Sequence, residues 1–214
     1  MKTGSFIQIL ANRRIAIMLP LGFASGLPLA LTSGTLQAWL IVAGLDLKTI
    51  GIFTLVGLPY TLKFLWAPLM DRLVPPWLGR RRGWMLATQM SVALGLAAMA
   101  VTGPGQRPEI LGVLALVVAF LSASLDIVFD AYRTDVLLRP ERGFGAAVWV
   151  NGYRCALLIA SAGALLLADY IGWQNTYLLL AALMAVGVVT ILVSPEPSEP
   201  GAAPASLAEA IGGP

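Results

Sequence analysis

The chain has 214 residues, of which 58% are hydrophobic and 12% charged, and its mean hydropathy is +0.82. A soluble domain carries about 25% charged residues to cover its wet surface, so this composition excludes an ordinary soluble enzyme and a disordered chain and leaves an integral membrane protein. There is no His and a single Cys, Cys155, which excludes a disulfide within the chain, an imidazole metal site and any Ser–His or Cys–His pair. The net charge of +3 fits Lys and Arg gathered in inner loops better than nucleic-acid binding, for which no soluble domain is present.

Charges divide the chain into apolar runs. Residues 15–45 are 31 uncharged residues between Arg14 and Asp46, residues 49–70 carry only Lys63, and residues 83–106 carry no charge. After Glu109 the run continues through Asp126 and Asp130 towards Arg139-Pro140; residues 143–168 carry only Arg154, and residues 170–195 carry none. A membrane-crossing helix takes about 17–25 mainly apolar residues. The charges therefore predict an all-α, six-helix membrane bundle with helices at 15–43, 49–70, 84–102, 111–136, 144–168 and 173–194. The first run exceeds a signal-peptide core of about 7–15 residues, and Pro20 and Pro28 predict a bend in it. Its Gly22, Gly26, Ala30 and Gly34 recur every fourth residue, a pattern for close helix contact. The third and sixth helices carry no ionisable residue and read as lipid-facing supports. Residues 1–14 read as a cytoplasmic N-terminal segment, 15–194 as the bundle, and 195–214, with Pro195, Pro197, Pro200, Pro204 and Pro214, as a truncated Pro-rich linker.

Orientation follows from loop charge. The N-terminal segment and the loops after the second and fourth helices hold nine Lys and Arg, against two (Lys48 and Arg107) in the loops after the first and third. Positive charge stays inside, so both termini are expected in the cytoplasm.

Five ionisable residues fall within or at the edge of the runs: Lys63, Asp126, Asp130, Arg133 and Arg154. A charge at mid-membrane costs at least about 2.5–3.5 kcal/mol, so such groups pair or line water. Asp126, Asp130 and Arg133 are spaced i, i+4, i+7 and share one helix stripe. All five converge on the cytoplasmic half. Lys63 can snorkel to the headgroups, and Asp130 with Arg133 can form an i, i+3 ion pair. Asp126 and Arg154, the deeper two, are expected to face a water-filled cavity, with Thr32 and Gln37 as further contacts if their face looks inward. Asp135 lies on the opposite face and is expected to be solvated.

The segment Ala67–Arg82, with Asp71, Arg72, Gly79, Arg80, Arg81 and Arg82, resembles the G-x-x-x-D-R-x-G-R-R loop of the major facilitator superfamily, with Ala67 at the first Gly and five residues (74–78) inserted. The words GFASGLPLALTSGTLQAWL (22–40), LDLKTIG (45–51), KFLWAPLMDR (63–72), GRRRGW (79–84) and SASLDIVFDAYRTDVL (122–137) occur in order and resemble AmpG-type muropeptide permeases over residues 13–197. Leu125 stands where that resemblance leads one to expect Gln. The resemblance implies one half of a major facilitator fold, built as two three-helix inverted repeats. It also implies a multi-pass protein of the bacterial inner membrane that imports anionic N-acetylglucosaminyl-anhydro-muropeptides for wall recycling. Lys63 and Arg154, with Gln37 and Thr32, would hold substrate; Asp126, Asp130 and Arg133 would couple to protons; Asp71, Arg72, Gly79, Arg80 and Arg81 would gate. No cofactor is expected beyond the proton gradient, and neither metal nor enzymatic chemistry. The partners would be the muropeptide, protons, membrane lipid and a C-terminal six-helix half. The alternative is a half-transporter that acts only with a partner chain or a second copy, or is inactive alone.

Overall fold

The computed structural model describes residues 12–72, 78, 80–105 and 107–197, without the side chains of 71, 72 and 80. The expected 1–14 segment and 195–214 linker fall largely outside the described residues, as does Gly79. Twelve α-helices are described: α1 (Arg13–Ala16), α2 (Met18–Thr32), α3 (Gly34–Val42), α4 (Leu47–Phe53), α5 (Leu58–Leu62), α6 (Ala67–Arg72), α7 (Arg80–Thr102), α8 (Pro108–Val136), α9 (Arg142–Leu158), α10 (Ala164–Ile171), α11 (Trp173–Leu183) and α12 (Ala185–Val193). Among the described residues there is no strand.

Among the described residues five helical stretches are long and apolar enough to cross a membrane: Arg13–Val42, Arg81–Thr102, Pro108–Val136, Arg139–Ile171 and Trp173–Val193. The stretch predicted as a continuous second helix differs. It is helical but broken, with 3-10 turns at Thr54–Gly57 and Lys63–Leu65 separating α4, α5 and α6. Pro59 and Pro68 have no N–H to donate to the carbonyl four residues back, and glycines at 51 and 57 add backbone freedom, so the ladder tightens locally.

Local chemistry sets the ends. Asn12 caps α1 by accepting from the Arg14 amide at 3.1 Å. Asp46 caps α4, accepting from the Thr49 amide at 3.0 Å and the Thr49 hydroxyl at 2.6 Å. Pro108 opens α8, where a missing N–H costs nothing. Gly172, at φ +80°, turns α10 directly into α11, a conformation favouring glycine.

The predicted bend in the first stretch sits at Ser33, between α2 and α3. There the Tyr177 hydroxyl donates to the Leu31 carbonyl at 2.9 Å. A single π turn, Ile159–Gly163, separates α9 from α10, and the Thr35 hydroxyl donates to its Ala160 carbonyl at 2.6 Å. Both of these irregularities thus receive a hydrogen bond from a neighbouring helix, as a water-poor setting demands.

The first stretch is central, with 72% of its most apolar window buried. Helix α2 packs most extensively on α9 and also touches α8, α12 and α7; α7 lies between α8 and the α11–α12 pair; the broken segment lies along α8. The glycine pattern explains the α2–α9 contact. A Cβ on Gly22 would overlap the Trp149 carbonyl oxygen, one on Gly152 the Leu19 carbonyl oxygen, and one on Gly26 would stand 2.6 Å from the Tyr153 carbonyl oxygen. Gly34, the fourth of the expected set, has open space around it. The third and sixth predicted helices are buried over 39% and 44% of their most apolar windows, against 22% for the fifth, and each still exposes large apolar side chains, among them Leu94, Val101, Val189 and Leu192. Gln89 of α7 is fully buried and donates to the Met184 carbonyl at the α11–α12 junction at 2.8 Å.

A candidate polar cleft between four helical segments

Ser25 of α2, Lys63 of the broken segment, Asp126 and Asp130 of α8, and Trp149 and Tyr153 of α9 line a polar cleft of about 210 Å³. The α8 stripe delivers its carboxylates one turn apart, and the tight α2–α9 contact sets Ser25 and Trp149 across from them. The two carboxylates have different surroundings. Asp130 lies 3.0 Å from an Arg133 guanidinium nitrogen and 3.8 Å from Lys63 Nζ. The Arg133 guanidinium also stands over the Trp149 ring, 5.4 Å from its centroid, and Phe129 meets that ring edge-on at 5.3 Å. Asp126 has no cation within 4.0 Å among the described residues; it accepts one hydrogen bond, from the Ser25 hydroxyl at 2.5 Å. The cleft can therefore hold one carboxylate as a paired ion and offer the other to water or a ligand.

The sequence-predicted residues separate into groups. Lys63, Asp126 and Asp130 line the cleft, and Arg133 supports it. Arg154 does not line it: it is exposed on α9, about 100° around that helix from Tyr153, and has no partner among the described residues. Of the two residues expected to face a water-filled cavity, Asp126 lines this cleft and Arg154 is exposed outside it. Thr32 is buried and its hydroxyl donates to the Pro28 carbonyl at 2.8 Å; Gln37 is half-buried, outside the cleft. Leu125 is fully buried in an apolar cluster with Met18, Phe129 and Tyr132, so the position where Gln was expected points into the core, not the cleft.

Of the loop residues, Asp71 and Arg72 end α6 and Arg80 begins α7, their side chains lying outside the description. Arg81 pairs with Asp135, Nε to Oδ2 at 2.8 Å, with both side chains mostly buried. Asp135, expected to be solvated, instead anchors α7 to α8. Beside it Arg82 donates to the Ile191 and Leu192 carbonyls at 3.2 and 2.8 Å, Arg13 to the Val193 carbonyl, and Tyr132 to the Pro195 carbonyl at 2.7 Å. These donors satisfy the carbonyls exposed at the end of α12.

Ser25, Trp149 and Tyr153 were not singled out for the cleft by sequence. Only Ser25 gave a signal, as one polar residue in an apolar run. Among the described residues no group of three or more His, Cys, Asp or Glu could hold a metal.

Comparison with known proteins finds relatives along most of the chain. The anhydromuropeptide permease of Escherichia coli K12 is 53% identical over 210 residues, which are 98% of this chain and 43% of that protein. The chain is similar to the anhydromuropeptide permeases along almost its whole length. An uncharacterized protein of Haemophilus influenzae is 41% identical over 87% of this chain and 44% of its own length. The family described as acetyl-coenzyme A transporter 1 matches residues 14–104. The chain thus spans less than half the length of the curated relatives it matches. The permease and the transporter family among these point to transport rather than enzymatic function.

Proposed function

We propose that this chain is the N-terminal half of a proton-coupled importer of anhydro-muropeptides in the bacterial inner membrane, with both termini in the cytoplasm. The observation that carries the proposal is the 53% identity to an anhydromuropeptide permease over 98% of the chain. The helix contacts support the fold half. The α2–α9 contact has its counterpart between α8 and the broken segment, and the α7–α8 contact between α12 and α2. That pairing is expected of six spans arranged as two three-helix inverted repeats, the broken segment serving as the second span.

Magnitude supports the need for a second half. A site that encloses a small molecule is about 300–1,000 Å³, and a disaccharide-peptide needs the upper part of that range. The cleft here holds about 210 Å³. It is one wall of a binding site, completed either by a continuation of the chain or by another copy. Arg154, exposed on α9 and unpaired among the described residues, is available to a substrate carboxylate on that open side. Lys63, 35% exposed, is available at the cleft mouth. Thr32, committed to the Pro28 carbonyl, is the weaker of the two polar contacts, and Gln37 the stronger.

Asp130 is held by two cations. Asp126 is the carboxylate without one, and we assign it the exchangeable proton. Protonation removes its charge and leaves Ser25 free to reorient, so binding differs between the two protonation states, as coupling requires. The test is uptake of labelled anhydro-muropeptide by cells making the full-length permease with Asp126→Asn. The proposal expects uptake that no longer responds to the pH gradient; gradient-dependent uptake at the normal rate removes Asp126 from the role.

A further inference from the structure

Two interior hydroxyls, Tyr60 Oη and Ser122 Oγ, are shielded from solvent and have no hydrogen-bond partner among the described residues. Buried hydroxyls are nearly always bonded, to protein or to an ordered water. Tyr60 belongs to α5, between the two 3-10 turns of the broken segment, and Ser122 to α8. The Tyr60 hydroxyl faces Ser122 and Thr32 within the field of Asp126 and Tyr153, without a well-formed bond to either hydroxyl. Thr32 donates its hydrogen to Pro28 at 2.8 Å, so towards Tyr60 it only accepts. Ser122 precedes Asp126 by one helical turn on the same stripe, a rise of about 6 Å that one water bridges.

The surroundings give this pair a direction. Lys63 from the broken segment, Asp130 from α8 and Tyr153 from α9 are the charged or titratable neighbours of Asp126 besides Tyr60, and α2 presents Ser25. Lys63 and Asp130 lie towards the arginine-rich end. Tyr60 and Ser122 lie on the other side of Asp126, where the interior is otherwise apolar, with Leu27, Val56 and Ala119 buried around it.

We propose that Tyr60 and Ser122 form a proton relay that reaches Asp126 from the side opposite the arginine-rich end. Tyr60 Oη takes a proton from a hydronium ion arriving from that side, which leaves as neutral water, as it releases its own towards Ser122 Oγ. Ser122 passes its proton to a bridging water, which delivers one to the Asp126 carboxylate. At each oxygen one O–H bond forms as another breaks, so only Asp126 gains a proton. The inference rests on the assignment of the exchangeable proton to Asp126.

The experiment compares two modes in vesicles from cells making the full-length permease: uptake of labelled anhydro-muropeptide driven by a pH gradient, and counterflow exchange at equal pH, which moves no net proton. Tyr60→Phe and Ser122→Ala are each expected to slow the driven mode about tenfold more than counterflow. Equal slowing of both modes, or no slowing of the driven mode, in both variants overturns the relay. Asp126→Asn in parallel separates the two ideas. If it abolishes the driven mode while Tyr60→Phe and Ser122→Ala do not, the relay alone fails; if it leaves gradient dependence intact, the role of Asp126 fails and the relay with it.

Discussion

The Ser25 hydroxyl donates to Asp126 Oδ1 at 2.5 Å, joining α2 to α8 across 101 positions of chain. Among the described residues it is the single hydrogen bond that Asp126 receives, so the carboxylate is tied to the central helix by a group that cannot neutralise it. Ser25→Ala removes that tie and keeps the negative charge. It is expected to weaken discrimination between the protonated and unprotonated states, so that the uptake–pH profile shifts while transport continues. A hydrogen bond to a charged group contributes about 1.5–3 kcal/mol, so a shift of about one to two pH units in the profile is the expected scale. An unchanged profile would separate Ser25 from the titrating group.

The α2–α9 interface should tolerate no side chain at its glycines. A Cβ on Gly152 meets the Leu19 carbonyl oxygen, whereas one on Gly34 meets nothing within 4 Å. Backbone cannot move aside as a flexible side chain can, and overpacking costs about 1–3 kcal/mol. Gly152→Ala should lower the unfolding temperature of the detergent-solubilised protein clearly, and Gly34→Ala should leave it close to the parent. Equal melting of the two variants would contradict the close approach.

Arg81 and Asp135 are 11% and 19% exposed and 2.8 Å apart. Exposed pairs contribute about 0.2–1 kcal/mol and breaking a buried pair costs about 3–5 kcal/mol, so a coupling of about 1–3 kcal/mol is expected from a double-mutant cycle of Arg81→Gln and Asp135→Asn. Unfolding of the purified protein in graded denaturant measures it. Additive effects would mean that the pair does not hold α7 to α8.

Asp46 titrates at the start of α4. The Thr49 hydroxyl and amide hold its carboxyl below the ordinary carboxylate range. A carboxyl depressed on folding stabilises the cap above its unfolded pKa, about 3.9, and that stabilisation is lost as pH falls through the lower folded value. Amide exchange at Thr49 should therefore be slow at neutral pH and accelerate, beyond the intrinsic pH effect, only below about pH 4. Asp46→Asn should remove this acid-dependent step while retaining the cap. Protection that does not change across that range would show that the carboxylate is not the cap.

Much of the scaffold was legible in the sequence because charge is so costly in lipid that it marks the ends of each run. The stripe of Asp126, Asp130 and Arg133 was legible for a second reason: helical spacing fixes how residues are arranged around their own axis, and Asp130 does pair with Arg133 as an i, i+3 contact. Spacing does not say which neighbour a face meets. Arg154 and Tyr153 are adjacent in sequence yet only Tyr153 reaches the cleft, and Asp135 finds Arg81 rather than solvent. The partnership of Ser25 with Asp126 depends on packing between distant helices, to which no local pattern refers. The breaks in 47–72 were foreshadowed by Pro59 and Pro68, but an apolar run interrupted only by Lys63 outweighed them.

Water and a charged solute reaching the groups around Asp126 is the claim on which the functional reading stands. Cys155 is the one cysteine of these 214 residues; with it and every cysteine of the remaining half replaced by Ser, single cysteines can be placed at 25, 130 and 125 in the full-length permease and treated with a charged, membrane-impermeant thiol reagent in vesicles of both orientations. Ser25→Cys and Asp130→Cys are predicted to react and to be protected by anhydro-muropeptide, while Leu125→Cys, buried in the apolar core, stays unlabelled. Absence of labelling at 25 and 130 from either side, or labelling that the muropeptide never slows, would contradict a water-filled, substrate-facing cleft.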